Sequence, residues 1–384
     1  MPPFDLLTPF DLQTPCVLLD LPRLQHNLDA MTARADDLGV DLRPHLKTAK
    51  SVDVARLATR GHTGAITVST LREAEYFFEG GFTDILYAVS IVPGKLRRAA
   101  DLVYRGAKLT LILDSIDAAR ELAAAGQETG TTFSALLEID ADGQRAGMKP
   151  DSAALLEAGG LLSGETGSEL RGVMTHAGAS YDCRSETALK AMAEQERSAA
   201  VLAAERLLAE GFPCPVVSVG STPTATFAER LDGVTELRAG AYMFQDLFQA
   251  GLGVCGPEHI ALSVLTSVIS RRPERGWVIT DAGALALSKD RSTAALPVDQ
   301  MYGVVCEAES CEPIEGLRVV GVNQEHGMIG APEGSDLDWD RFPIGTQLRI
   351  LPNHACMTAA AYDRYHVLDG DSIPVATWER CNRW

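Results

Sequence analysis

From residue 40 to about 240 the chain repeats one rhythm: a short apolar run, a turn, then a longer stretch with helical spacing. The apolar runs fall at 40–42, 65–68, 85–89, 109–113, 133–139, 170–174, 216–219 and 235–237. Between most of them lie segments rich in Ala, Leu, Glu and Arg, as at 93–104, 116–125 and 185–211. Apolar positions three and four apart in such segments mark helices with one buried face. Eight strand and helix units in succession predict a closed (β/α)8 TIM-like barrel rather than an open doubly wound sheet.

After about residue 245 the rhythm changes. Strand-like runs continue at 261–270, 277–280, 303–306, 317–322 and 347–351, but strong helices stop and Gly, Pro and Asp punctuate the sequence. This predicts a mostly β second domain. The expected division is a barrel over 16–244 and a C-terminal β domain over 245–384. The run 15–20 is an extra strand before the barrel, available to pair with the β domain, and residues 1–15 are expected to pack with that domain.

Composition narrows the function. Hydrophobic residues make up 46% of the chain and charged residues 22%, enough apolar material for two cores. A net charge of −18 argues against nucleic acid or an anionic membrane as partner. No apolar run reaches membrane-spanning length, and the N-terminus lacks the basic stretch of a signal peptide, so the expected location is the cytoplasm. The eight cysteines form no CxxC pair and read as reduced thiols.

In a (β/α)8 barrel the chemistry sits at the C-terminal ends of the strands. The first strand runs into Arg43-Pro44-His45-Leu46-Lys47-Thr48, and the fifth into a loop carrying Arg145. The sixth ends near His176 and Tyr181, the seventh at Gly220-Ser221-Thr222, the eighth at Arg238-Ala239-Gly240-Ala241-Tyr242. Gly220-Ser221-Thr222 is a small, donor-rich turn before a helix, suited to phosphate oxygens, and Gly240-Ala241 is a second such turn. A lysine at the mouth can be a solvated charge or a reactive amine. An amine beside a phosphate turn and basic side chains is what pyridoxal 5′-phosphate (PLP) requires. Arg145 and Arg238 are then available to its phenolate oxygen and ring nitrogen. Near the C-terminus, His354 and Cys356 stand two apart after a strand-like run, on a segment read as extended, where they share one face. Two ligands are too few for a structural zinc site but suit a catalytic metal with open positions.

The series Arg43–Thr48, Val173–Gly178, Ser218–Thr224, Glu236–Gly240, Asn323–Gly327 and Pro352–Cys356 resembles the D-serine dehydratase and D-threonine aldolase group. These are PLP enzymes of the alanine racemase-like fold, and the resemblance spans nearly the whole chain. It implies that Lys47 carries the cofactor covalently and serves as the catalytic base. It implies that Gly220, Ser221, Thr222, Gly240 and Ala241 line the phosphate, that Arg145 lies near the phenolate, and that Arg238 faces the pyridine nitrogen. His176, Tyr181 and Tyr242 complete the expected cofactor-binding set. His354 and Cys356 match the metal pair of the dehydratases; the aldolases tend to carry Asp at the position of Cys356. A homodimer is also implied.

The expected reaction is elimination of water from a D-3-hydroxy amino acid such as D-threo-3-hydroxyaspartate or D-serine, giving a 2-oxo acid and ammonia. The expected metal is zinc, with manganese, cobalt or magnesium as alternatives. Retro-aldol cleavage of the D-threonine aldolase type is the first alternative. Racemisation needs a base on each face and no metal, which the His354/Cys356 pair speaks against. A non-catalytic PLP carrier is the alternative from another class, and residues 245–384 argue against it. An arginine is the expected partner for a distal substrate carboxylate, with His45, His176 and Tyr181 as weaker candidates.

Overall fold

The computed structural model describes residues 9–164, 166–331 and 337–384. Contacts divide the chain into two compact units: Asp29–Gly240 with Cys381–Trp384, and Ala241–Arg380 with the residues up to Leu28.

The first strand of the chain, β1 (Cys16–Asp20), leads into the helix Leu21–Asp37, along which the chain passes from one unit to the other. Eight strands then follow: β2 (Asp41–Leu42), β3 (Ile66–Val68), β4 (Asp84–Ser90), β5 (Lys108–Leu113), β6 (Phe133–Ile139), β7 (Ser168–Thr175), β8 (Val216–Val219) and β9 (Glu236–Leu237). Each covers one of the apolar runs expected from the sequence. They form one parallel sheet in the order β2-β9-β8-β7-β6-β5-β4-β3. A parallel bridge between His45 and Thr67 joins its two end strands, with Leu46 N–H donating to Thr67 O at 2.8 Å. The ring is therefore closed, as eight β/α units predict.

The helices between the strands begin where side chains can take up the first free N–H groups. Ser115 accepts from Ala118 N–H before the helix Ile116–Thr129, and Ser185 from Ala188 N–H before the helix Glu186–Ala209. Each helix turns its apolar stripe inward; Ala119, Leu122, Ala123 and Gly126 are the buried positions of Ile116–Thr129. Strands covered by helices outside and side chains inside are apolar throughout, as in β6, where six of seven residues are buried.

The other unit is a nine-stranded sheet. Its strands are β1, β10 (Leu262–Arg272), β11 (Trp277–Thr280), β12 (Val304–Glu307), β13 (Pro313–Val322), β14 (Gly327–Gly330), β15 (Gln347–Leu351), β16 (Arg364–Leu368) and β17 (Ala376–Glu379). β1 pairs antiparallel with β10 and parallel with β16, so the N-terminal strand lies inside this sheet. Val264, Val278, Val305, Val319, Ile329 and Ile350 meet in its core. Of the residues 1–15 expected to pack here, 1–8 lie outside the described residues. Phe10 is buried, and its amide and carbonyl both bond the side chain of Gln347. Among the described residues no helix is long and apolar enough to cross a membrane.

Candidate active site

In the barrel unit the chain runs on past β2 as an extended ladder. Arg43 and His45 donate their amides to Leu237 O and Ala239 O at 2.9 and 2.8 Å. His45 and Leu46 are thus pinned between the last strand and the third, and Lys47 follows at once on a tight turn closed by Lys50 N–H to Leu46 O at 2.7 Å. Lys47 is exposed at this mouth. Lys50, three residues on, lies in the left-handed region with φ 48°, and its ammonium is 3.1 Å from the fully buried carboxylate of Glu73.

Five basic residues from four strand ends act on one another here. Burial, then the charges of Lys47 and Arg238, push the pKa of His45 well below its ordinary range. Burial and the Lys47 charge bring His176 down to about 3, with Arg145 and Arg238 adding to the effect. Both imidazoles are therefore neutral near pH 7. His176 Nδ1 lies 3.1 Å from Gly220 O, and its ring sits 6.2 Å from that of Tyr181. Arg238 is buried and fixed: its Nε donates to Ser218 Oγ at 2.7 Å and another nitrogen donates to Thr175 O. Arg145 is mostly exposed and reaches the buried Glu138 at 3.4 Å. Its loop is tied to the Gly178–Asp182 turn by Ala179 N–H to Asp142 at 2.8 Å.

The turn after β8 is held from below. Gly220 has φ 129°, and a Cβ there would fall 2.5 Å from Arg238 O. Ser221 caps the helix Thr222–Phe227 in a reciprocal pair with Thr224, and its hydroxyl lies 2.9 Å from Ser180 Oγ. The Thr224 hydroxyl donates to Glu196 at 2.6 Å, and Ala177 N–H donates to the same carboxylate at 2.7 Å. Glu196 thus clamps the loops after β7 and β8 together, although it was not among the residues expected from the sequence. A signal was present: it sits on the buried stripe of its helix, in line with Leu189, Ala193 and Ala200. Gly240 is needed for a different reason, since a Cβ there would meet His45 O at 2.7 Å.

The remaining expected residues belong to the β unit. Ala241 and the buried Tyr242 open it on a short 3-10 turn, where burial raises the tyrosine's pKa. The extended segment expected for His354 and Cys356 is corrected by the structure. β15 stops at Leu351, His354 is the extended N-cap residue, and Cys356 lies inside the helix Ala355–Ala359. The chain turns here because Asp246 accepts the Ala355 amide at 3.0 Å and so secures the helix start. The pair still meets, because the Cys356 thiol bonds the His354 imidazole. Asp290 holds His354 Nδ1 at 2.9 Å. Burial works against charge on this histidine, but its bonds to Asp290 and Cys356 prevail and raise its pKa to about 11. Asp290 and Asp246 were also not anticipated; each is brought in by long-range folding with no local motif.

The donor set of the barrel mouth fits PLP: an exposed amine beside neutral imidazoles, a rigid guanidinium, and a glycine turn clamped by Glu196. Asp290 holds His354 Nδ1 and the Cys356 thiol bonds the same imidazole, so the two side chains lie close enough to share a metal. Among the described residues no group of three or more His, Cys, Asp or Glu is placed to hold a metal ion.

Residues 19–247 match the alanine racemase N-terminal domain, and residues 261–368 the putative serine dehydratase domain. The chain is 50% identical to the D-threo-3-hydroxyaspartate dehydratase of Delftia sp. strain HT23, over 97% of this chain and 98% of that one. The solved structure of that enzyme superposes with a TM-score of 0.95 over 97% of this chain and 99% of the other. The D-serine dehydratase of Dictyostelium discoideum is 32% identical over 97% and 98% of the two chains. More distant is the 3-hydroxy-D-aspartate aldolase of Paracoccus denitrificans, 28% identical over 92% and 88%. The chain belongs to the family that contains the D-serine and D-threo-3-hydroxyaspartate dehydratases, PLP-dependent lyases of alanine racemase-like fold with a C-terminal β domain.

Proposed function

We propose that the protein removes water from D-3-hydroxy amino acids, with D-threo-3-hydroxyaspartate and D-serine as the leading substrates, and releases a 2-oxo acid and ammonia. The observation that carries this reading is the exposed Lys47 at a strand end among His45, His176 and Arg238, within a chain half identical to a dehydratase. The segment 16–244 holds PLP and the segment 245–384 holds a divalent metal. Once bound, PLP supplies an electron sink for the bond broken at the α-carbon. Lys47 Nζ anchors it and takes the α-proton from one face, so only D-configured α-carbons react. Arg238, locked to Ser218 and Thr175, would face the ring nitrogen and favour its unprotonated form, because a guanidinium can only donate. Arg145 would meet the phenolate, and His176, Tyr181 and Tyr242 would complete the residues that hold the cofactor. The turns Gly220–Thr222 and Gly240–Ala241 take the phosphate.

His354 and Cys356 hold the metal, zinc before manganese, cobalt or magnesium, and Asp290 orients the imidazole. The metal's contribution is Lewis-acid help to the departing hydroxide. A homodimer in the cytoplasm completes the proposal; all eight cysteines are free thiols, which agrees with a reducing compartment.

Retro-aldol cleavage uses the same cofactor and metal, and the aldolase relative keeps it as the second reading. Incubation with D-threo-3-hydroxyaspartate, D-serine and D-threonine, with ammonia, 2-oxo acid and aldehyde assayed separately, decides between them. Ammonia and 2-oxo acid in equal amounts are expected. Glycine with an aldehyde as the main products would transfer the assignment to the aldolases.

A further inference from the structure

Glu196 lies on the helix Glu186–Ala209, is 1% exposed, and has no part in the proton transfer of Lys47. The amides of Ala177 and Gly220 both donate to it, the first to Oε1 at 2.7 Å. An amide can only donate, so this carboxyl group is built as an acceptor. Burial raises its pKa, although its bonds to Thr224, Ala177 and Gly220 all favour the ionised form.

From the other oxygen a chain of hydrogen bonds leads to His176. Thr224 donates its hydroxyl to Glu196 Oε2 at 2.6 Å and accepts the Ser221 amide at 2.9 Å. The Ser221 amide and the Gly220 carbonyl belong to one peptide group, and that carbonyl lies 3.1 Å from His176 Nδ1. A carbonyl only accepts, so Nδ1 carries the proton, and in the neutral ring Nε2 keeps the lone pair. Each link polarises the next, which strengthens the bond at the imidazole. Ala177, the residue after His176, is bound to the other oxygen of the same carboxyl group. Glu196 therefore grips this histidine at the following amide and, through the chain, at the ring.

We propose that Glu196 is a positioning residue for the elimination: it sets the orientation and the Nδ1–H tautomer of His176. Its effect on turnover rests on the reading of this barrel mouth as the PLP site, whereas the tautomer is a property of the protein alone.

NMR of nitrogen-labelled histidine in the holoenzyme tests this, with the His176 signals identified by their loss in His176→Asn. The wild type should show Nδ1 protonated and Nε2 bare near neutral pH. Glu196→Gln sets an amide donor among these donors, and Thr224→Val removes the middle link at nearly constant size. Each should give a mixture of tautomers and lower kcat for ammonia release by about tenfold or more, with KM little changed. Thr224→Ser, which keeps the hydroxyl, should recover the wild-type tautomer and rate. Nε2 protonated in the wild type, an unchanged tautomer in both Glu196→Gln and Thr224→Val, or an unchanged kcat in both would each overturn the proposal. The wild-type measurement keeps it falsifiable if neither variant folds. PLP found on a lysine other than Lys47 would overturn the site reading and leave the tautomer result standing.

Discussion

Lys50 holds its ammonium 3.1 Å from Glu73, a carboxylate with no solvent exposure. Breaking such a pair leaves a buried charge and is unfavourable by about 3–5 kcal/mol. Lys50 is therefore withdrawn from chemistry, and Lys47 is left as the reactive amine of this turn. Borohydride reduction of the yellow holoenzyme should place the label on Lys47, and Lys47→Ala should lose the covalent linkage and about 10³-fold or more in kcat. A label on Lys50, read by peptide mass, would reverse the assignment. His176 makes a second prediction at this scale. Its pKa of about 3 in the folded chain lies below that of an unfolded histidine, about 6.5. As pH falls from 6.5 toward 3 the unfolded chain takes up the proton first, and folding loses on the order of a few kcal/mol. His45, shifted in the same direction, adds to the loss. The melting temperature should drop across that window, and His176→Asn should flatten the drop; an unchanged slope would mean that the imidazole accepts the proton in place.

At the scale of elements, the turn after β8 depends on Gly220. With φ 129° and Arg238 O 2.5 Å from any Cβ, Gly220→Ala should destabilise the chain by about 1–3 kcal/mol in urea unfolding and lower its retention of PLP, read by absorbance. A variant as stable as the wild type would show that the turn can open without loss. The helix Ala355–Ala359 makes a parallel case. Asp290 fixes the His354 ring, so Asp290→Asn should reduce metal affinity about 10–100-fold, measured as metal content after dialysis, without touching the Lys47 adduct. Metal retained at the wild-type level would leave Asp290 a structural role only. The barrel strands were legible because each is an apolar run bounded by turns, and β6 shows why: it is buried on both faces. β14, β16 and β17 were not. β14 is four residues with a glycine at each end, β16 interrupts its buried Tyr365, Val367 and Leu368 with His366, and β17 has no buried residue, so none has an apolar run of strand length. Lys47, Arg238 and the Gly220 turn were legible as residues at strand ends. Asp290 was not, because its partner lies 64 residues away and nothing local marks it.

Across the whole molecule, two units supply two kinds of chemistry. The barrel gathers lysine, histidine and arginine at its mouth, in a chain that carries −18 overall. That local excess of positive charge is what an anionic cofactor and an anionic substrate need. The β unit contributes a histidine and a thiol braced by carboxylates. Neither set is sufficient for the proposed elimination, in which the lysine removes the proton and the metal assists the hydroxide. The most direct measurement is ammonia release from D-threo-3-hydroxyaspartate by holoenzyme before chelation, after chelation, and after a divalent cation is returned. The account predicts that chelation abolishes release while the visible absorption of the bound PLP persists, and that the cation restores the rate. Full-rate release from the metal-free holoenzyme would contradict it.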